Sequence, residues 1–228
     1  MTIGRLEKWQ DTEGTEVDYY KKILRITPTK YSLLNFLADA LYKQAEYEEA
    51  IHCWKKLLRK LDLKQKYQFF MKIGQAYEAL GEIEFAYHYF GEAMKENKNG
   101  LEAIGKFGQM AYLLDNYEDA LKAFKIIAKF EPENDVAWHN LGLAYYNLGL
   151  HDEAIDKLEL SLSLNEESAD TWYTIATIYA ENFLLDDALY TLEKALSIDL
   201  SLQENARQEQ SFYSLMESNL FKYLIYSK

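Results

Sequence analysis

Large apolar residues recur along this chain with a period of 34 residues. When windows of 34 residues begin at positions 31, 67, 101, 135 and 169, the fourth place of each window holds Leu34, Phe70, Ile104, Trp138 and Trp172. Apolar residues also fill places 7 and 24 of every window. Places 4, 7, 8 and 11 share one helical face, and places 20, 24, 27 and 28 share another. Each window therefore predicts two helices that pack against each other.

Small residues occupy two further places. Place 8 holds Gly74, Gly108, Gly142 and Ala176, and place 20 holds Ala86, Ala120, Ala154 and Ala188. Glycine inside a helix costs about 1 kcal/mol relative to alanine, so its recurrence at one place needs a structural reason. We expect place 8 of the first helix to cross place 20 of the second helix, where only a hydrogen atom or one methyl group fits.

This pattern resembles the tetratricopeptide repeat (TPR), whose 34 residues carry a large apolar residue at 4, Leu at 7, Gly or Ala at 8, Tyr at 11, Ala at 20 and Pro at 32. The fourth window has Trp138, Leu141, Gly142, Tyr145 and Ala154 at the corresponding places. Both prolines of the chain, Pro28 and Pro132, fall at place 32. The resemblance implies an all-α fold, a right-handed α-solenoid of five repeats: 31–64, 67–100, 101–134, 135–168 and 169–202.

The two ends of the chain extend this array. Residues 16–28 are similar to the second helix of a preceding repeat, so segment 1–30 is predicted to hold half a repeat. Residues 203–228 lose the small residues but keep Phe212, Leu215, Phe221 and Leu224. Because the last repeat of a solenoid must cover an apolar face, we predict that this segment forms capping helices.

Composition narrows the class of protein. The single cysteine, Cys53, excludes a disulfide framework within the chain and suits a reducing compartment. The first residues have no apolar signal region, and no stretch is apolar enough to span a bilayer, so we expect a cytoplasmic protein without membrane insertion. The net charge of −12 argues against binding to nucleic acid.

Charge is uneven along the chain. Residues 1–66 carry 13 basic against 10 acidic residues, whereas residues 67–202 carry 9 basic against 24 acidic residues. A basic cluster surrounds one second helix and comprises Lys55, Lys56, Arg59, Lys60, Lys64 and Lys66. This cluster is interpreted as a solvated convex face or, alternatively, as a site for an acidic partner.

Catalytic or metal chemistry finds no support in the sequence. The four histidines, His52, His88, His139 and His151, fall in different repeats without metal-ligand spacing, and Cys53 has no companion thiol. Acidic pairs at 152–153 and 186–187 begin predicted second helices, where carboxylates are favoured by the helix dipole. We therefore predict a protein that is not an enzyme, with no cofactor and no metal.

The resemblance also implies where a partner binds. In the TPR fold the first helices line a concave groove, and places 2, 5, 6, 9, 12 and 13 point into it. The groove residues implied here are Asn35, Asp39, Tyr42, Met71, Gln75, Gln109, Tyr112, His139, Leu143, Tyr146, Tyr173 and Thr177. Three tyrosines share place 12, and tyrosine is enriched at binding hot spots. The alternative for each tyrosine is that it covers a neighbouring helix.

Two TPR subfamilies are excluded by these places. The chaperone-binding clamp needs basic residues and asparagines where this chain has Asp39 and Glu102, and the asparagine ladder of glycosyltransferase arrays needs Asn at place 6. The favoured hypothesis is a scaffold or adaptor that binds a protein or peptide segment in the groove. One alternative is a self-assembling structural protein, a homo-oligomer that docks its basic N-terminal end on the acidic repeats of a neighbour. The other is an enzyme or the helper subunit of one.

Overall fold

The computed structural model describes residues 15–28, 30–60 and 66–226 of the 228-residue chain. It comprises two compact units that divide between Ala103 and Ile104. The described residues form helices and turns without a strand, which confirms the predicted all-α fold.

The helices of the first unit are α1 (Glu16–Ile26), α2 (Tyr31–Lys43), α3 (Tyr47–Lys60), α4 (Lys66–Ala79) and α5 (Ile83–Glu96). Helix α6 (Leu101–Leu113) contains the division. The second unit continues with α7 (Tyr117–Phe130), α8 (Asp135–Asn147), α9 (His151–Leu164), α10 (Ala169–Glu181) and α11 (Leu185–Ile198). It ends with α12 (Leu202–Gln208), a 3-10 helix (Gln210–Leu215) and α13 (Asn219–Tyr226). Each predicted window thus holds two helices, and the right-handed coiling of the array stays a prediction.

Helix α1 packs on α2 and adds Val17 and Tyr20 to the core that contains Leu34 and Leu37. Its start is fixed by a capping box, because the side chain of Thr15 accepts from the Asp18 amide and the Asp18 carboxylate accepts from the Thr15 amide. Residues 1–14 of the predicted N-terminal segment lie outside the described residues.

The glycines at place 8 do allow a close approach, and the atoms nearest to Gly74 and Gly142 belong to the residue at place 24. A Cβ atom added to Gly74 would lie 2.7 Å from Cε1 of Phe90, and one added to Gly142 would lie 2.7 Å from Cγ of Leu158. Phe90 and Leu158 occupy place 24. Ala154, at place 20, also lies close, with its carbonyl oxygen 3.2 Å from the Cβ position of Gly142. The large side chain at place 24, one turn after place 20, therefore fills the space that the glycine leaves.

Each hairpin turn places one residue in the left-handed region of backbone space. These residues occupy place 15 and are Ala45, Gly81, Asp115, Gly149 and Phe183, with φ between 56° and 75°. Glycine adopts this conformation without steric cost, whereas a bulky side chain is strained there. Phe183 is the largest of the five and is 78% exposed.

The C-terminal segment packs on the last hairpin. Phe212 is fully buried, and its ring lies 5.5 Å from that of Tyr173 on α10 and 6.2 Å from that of Phe221 on α13. Leu215 and Ile225 are buried in the same cluster. Because these side chains cover α10 and α11, the segment supplies the apolar contacts that another repeat would otherwise make.

We expect Gly108→Ala to lower the free energy of unfolding by about 1–3 kcal/mol, because the added methyl would lie 2.8 Å from Cε1 of Phe124. Gly105→Ala in the same helix is the control, since its added Cβ meets no described atom within 4 Å. That variant should gain up to about 1 kcal/mol from helix propensity. Urea denaturation followed by circular dichroism measures both, and equal stability of the two variants would contradict the close approach.

We expect Phe212→Ala to destabilise the second unit by about 3–5 kcal/mol, because its fully buried ring joins the C-terminal segment to α10. Tyr213→Ala changes an adjacent aromatic residue that is 56% exposed and should be nearly neutral. Thermal melting compares the two. A wild-type midpoint for Phe212→Ala would show that the segment adds no stability.

Candidate functional site

The tyrosines at place 12 have the same surroundings in three hairpins. Each ring packs against the aromatic residue at place 17, across the hairpin turn. The pairs, with the distances between ring centroids, are Tyr42 with Tyr47 at 5.2 Å, Tyr112 with Tyr117 at 5.5 Å and Tyr146 with His151 at 5.6 Å. Such contacts hold the rings in fixed positions at the end of each first helix.

In the second unit, hydrogen bonds join the first helices of successive hairpins. The Asn147 amide donates to the Tyr112 hydroxyl at 2.9 Å and to the Leu143 carbonyl at 2.9 Å. The Tyr146 hydroxyl donates to Glu181 Oε1 at 2.7 Å. Both tyrosines sit 35 residues before their partner, so place 12 of one repeat contacts place 13 of the next.

The Glu181 carboxylate contacts several side chains. Besides Tyr146, it accepts from Ser211 Oγ at 3.0 Å and lies 3.8 Å from His151 Nε2. Burial together with this carboxylate raises the pKa of Tyr146. Tyr146 therefore stays protonated and acts as a donor.

His139 joins α8 to α10. Its Nδ1 lies 2.8 Å from Oγ1 of Thr171, which is fully buried and also 2.7 Å from Ser168 Oγ. Burial lowers the pKa of His139, although Asp170 and Asp135 act in the opposite direction. The imidazole is therefore held in its neutral form.

The C-terminal segment covers part of the predicted groove surface. Phe212 packs against Tyr173, and burial raises the pKa of Tyr173 to about 12, with a further contribution from Glu209. Thr177 is only 8% exposed, and its hydroxyl donates to the Tyr173 carbonyl at 3.1 Å. The expectation that Thr177 lines an open groove is corrected accordingly.

The remaining predicted residues of the second unit occupy place 9 of two successive hairpins. Gln109 is exposed on α6, and Leu143 is half-buried on α8. The structure therefore brings Tyr112, Leu143 and Tyr146 close through contacts with Asn147 and Glu181, whereas Tyr173 is grouped with the C-terminal segment.

In the first unit, a cavity of about 440 Å³ is lined by Asp39, Tyr42, Lys43, Trp54, Lys72 and Gln75. Lys72 Nζ lies 2.6 Å from Asp39 Oδ1 and 5.7 Å from the centre of the Trp54 ring. Gln75 donates to Glu102 Oε1 at 3.3 Å. Trp54 is 1% exposed and occupies place 24, where the sequence predicts a buried apolar residue.

The other two predicted residues of this unit lie deeper. The Asn35 amide donates to Asp39 Oδ2 at 3.5 Å, and its Oδ1 is buried without a hydrogen-bond partner in the described part of the chain. Met71 is 5% exposed. Because its side chain is buried, the expectation that Met71 lines an open groove is also corrected.

The basic cluster is smaller than its sequence indicates. Lys55 Nζ donates to the Tyr77 hydroxyl at 2.6 Å and lies 4.9 Å and 5.2 Å from the ring centres of Tyr77 and Tyr89. Lys64 lies outside the described residues. The members of the basic cluster that are exposed on α3 are Lys56, Arg59 and Lys60.

Within residues 15–28, 30–60 and 66–226, no helix combines the length and apolar character needed to cross a bilayer. The same residues contain no group of three or more His, Cys, Asp or Glu side chains placed to hold a metal ion.

The matches to known protein families fall on the repeats of the chain. Two tetratricopeptide repeat models match residues 37–100 and 136–168. The structure of YrrB, a TPR protein with an unusual peptide-binding site, is similar with a TM-score of 0.70 and 21% identity over 84% of this chain and 99% of YrrB. A crystal structure of MamA has a TM-score of 0.66 and 23% identity, over 74% of this chain and 97% of that one.

A second MamA structure, from Desulfovibrio magneticus RS-1, has a TM-score of 0.68 and 19% identity, over 76% of this chain and 97% of that one. No curated protein matches the chain. At such identities the likeness establishes the shared fold.

We expect the stability of the second unit to fall as pH drops below the ordinary histidine pKa of about 6.5. Because the folded state lowers the pKa of His139, the unfolded chain binds a proton first, and stability is lost between the ordinary and the lowered pKa. His139→Gln should flatten the dependence of the melting midpoint on pH in this range. His52→Gln, at an exposed position, is the control and should leave the dependence unchanged. Identical profiles for both variants would contradict this role of His139.

Proposed function

The chain belongs to the tetratricopeptide repeat family, and from this membership we propose that it is a non-enzymatic scaffold or adaptor. Its partner is a peptide or helical segment of another protein, bound along the first helices of the repeats. Arrays of this kind present side chains from successive repeats on one extended surface.

The observation that carries the proposal is the fixed arrangement of Tyr112 and Tyr146 in the second unit. Each ring is held by its place-17 neighbour, and each hydroxyl is held by the following repeat. Tyrosines offer a large contact area, and rings already ordered in the free protein lose little entropy when a partner binds. The proposed contact surface of this unit is completed by Gln109, His139 and Leu143.

In the first unit, the proposed contact surface is the cavity beside Asp39, Tyr42 and Gln75. Its volume of about 440 Å³ lies within the usual range of binding pockets. The Asp39–Lys72 ion pair, half-buried in the lining of this cavity, provides polar groups that a peptide backbone can meet. The peptide-binding site of YrrB, a protein of the same fold, supports a peptide as the class of ligand.

Self-assembly is the second candidate. It is favoured by the contrast between the exposed basic residues Lys56, Arg59 and Lys60 and the acidic composition of residues 67–202. If oppositely charged regions of two copies join, the mass in solution should be higher at low salt than at high salt.

The groove proposal is tested with a partner protein that co-purifies with the wild-type protein from the cells that express it. We expect the triple variant Tyr112→Ala, His139→Ala and Tyr146→Ala to bind this purified partner at least tenfold more weakly, or by about 1.4 kcal/mol. Calorimetry measures the affinity, and circular dichroism must show wild-type helix content.

The matched control changes three exposed residues of a second helix, as Lys56→Glu, Arg59→Glu and Lys60→Glu. It should bind the partner like the wild type. If this control loses binding while the tyrosine variant keeps it, the partner uses the basic face of α3 and the assignment to the first helices is wrong.

A further inference from the structure

A second cavity lies in the second unit, among helices α9, α10 and α11. It has a volume of about 460 Å³, and its apolar part is formed by Leu162 and Ile175, which are 8% and 2% exposed. Two of the three helices are second helices of their hairpins, so this cavity is separate from the contact surface proposed above.

Three aromatic residues line the cavity: Trp172, Tyr179 and Tyr190. The Trp172 ring is fixed because its Nε1 donates to the Glu166 carbonyl at 2.8 Å. Tyr190 is 56% exposed, and the ammonium group of Lys194 lies 5.5 Å from the centre of its ring. The face of an aromatic ring attracts cations. The Tyr190 ring already lies close to one cation, the Lys194 ammonium group of the same helix.

Three carboxylates line the same cavity: Glu159, Glu166 and Asp187. None of them forms an ion pair with a residue that the structure describes. Burial raises the pKa of Tyr179, and the negative charges of Glu159 and Asp187 raise it further. The cavity thus combines apolar walls with three carboxylates that form no ion pair with a described residue, and the ammonium group of Lys194 lies over the Tyr190 ring.

We propose that this cavity binds the side chain of a lysine or arginine in a basic segment of a partner protein. The apolar residues fit the methylene stem of such a side chain, while the aromatic rings and carboxylates fit its charged end. The excess of 24 acidic over 9 basic residues between 67 and 202 favours the approach of a basic segment.

The test uses three acetylated and amidated pentapeptides, in which one lysine, arginine or norleucine is flanked by alanines. Each is titrated into the full-length protein, and the NMR signal of the Trp172 indole N–H reports on the cavity. We expect saturable shifts with the lysine and arginine peptides and at least fivefold weaker binding of the norleucine peptide, which has no charge. Equal affinity for norleucine would overturn the proposal.

A pair of double variants with equal net charge locates the site. Glu159→Gln with Asp187→Asn removes two carboxylates from the cavity and should weaken the lysine peptide at least fivefold. Asp156→Asn with Glu193→Gln removes two exposed carboxylates from the same helices and should bind like the wild type. An equal loss in both would show that only the overall charge attracts the peptide.

A second variant, Tyr190→Leu, keeps an apolar side chain but removes the aromatic face. It replaces the Glu159→Gln, Asp187→Asn variant in this test if that variant melts at a lower temperature than the wild type. It should weaken the lysine peptide by at least threefold, and unchanged affinity would overturn the aromatic contribution. The triple variant at Tyr112, His139 and Tyr146 should bind the peptide normally, so failure of this inference and failure of the groove proposal are distinguishable.

Discussion

The close approach of two helices at a place-8 glycine is the constraint on which three of the five hairpins depend. Where that place holds Gly74 or Gly142, the side chain of Phe90 or Leu158 occupies the space of the missing Cβ atom. The large residue can then be buried completely without pushing the helices apart. In the hairpin of Gly142, this contact between the helices is accompanied across the turn by the aromatic contact of Tyr146 with His151.

The place-12 tyrosines link stability to recognition. The two interpretations offered for them, as groove residues and as cover for neighbouring helices, are not exclusive. The ring of Tyr146 covers His151, and its hydroxyl reaches Glu181 in the following hairpin. Glu181 in turn accepts from Ser211 of the C-terminal segment. A substitution at one of these residues is therefore expected to alter the neighbouring repeat as well as the binding surface.

The fold could be predicted because the sequence pattern that determines it is periodic. Apolar and small residues recur on the same helical faces, and those faces must be buried. The residue that lies nearest to each place-8 glycine could not be predicted. Places 20 and 24 share one helical face, and the direction in which the helices pack decides which of them lies nearest. Burial of Met71 and Thr177 depends on contacts that a repeat pattern does not contain, as does the placement of Lys55 between two tyrosines. The cavity beside Trp172 is formed by two particular repeats, so periodicity gives no signal for it.

The hydrogen bond that the Asn147 amide donates to Tyr112 and the one that Tyr146 donates to Glu181 span the same number of residues and connect the same places. The same hydrogen-bonded junction thus connects two pairs of consecutive repeats. A duplicate of residues 135–168 inserted at such a junction would bring its own Asn147 for the preceding repeat and its own Tyr146 for the following one. For this repeat, an insertion of one whole unit would therefore keep the hydrogen bonds on both sides.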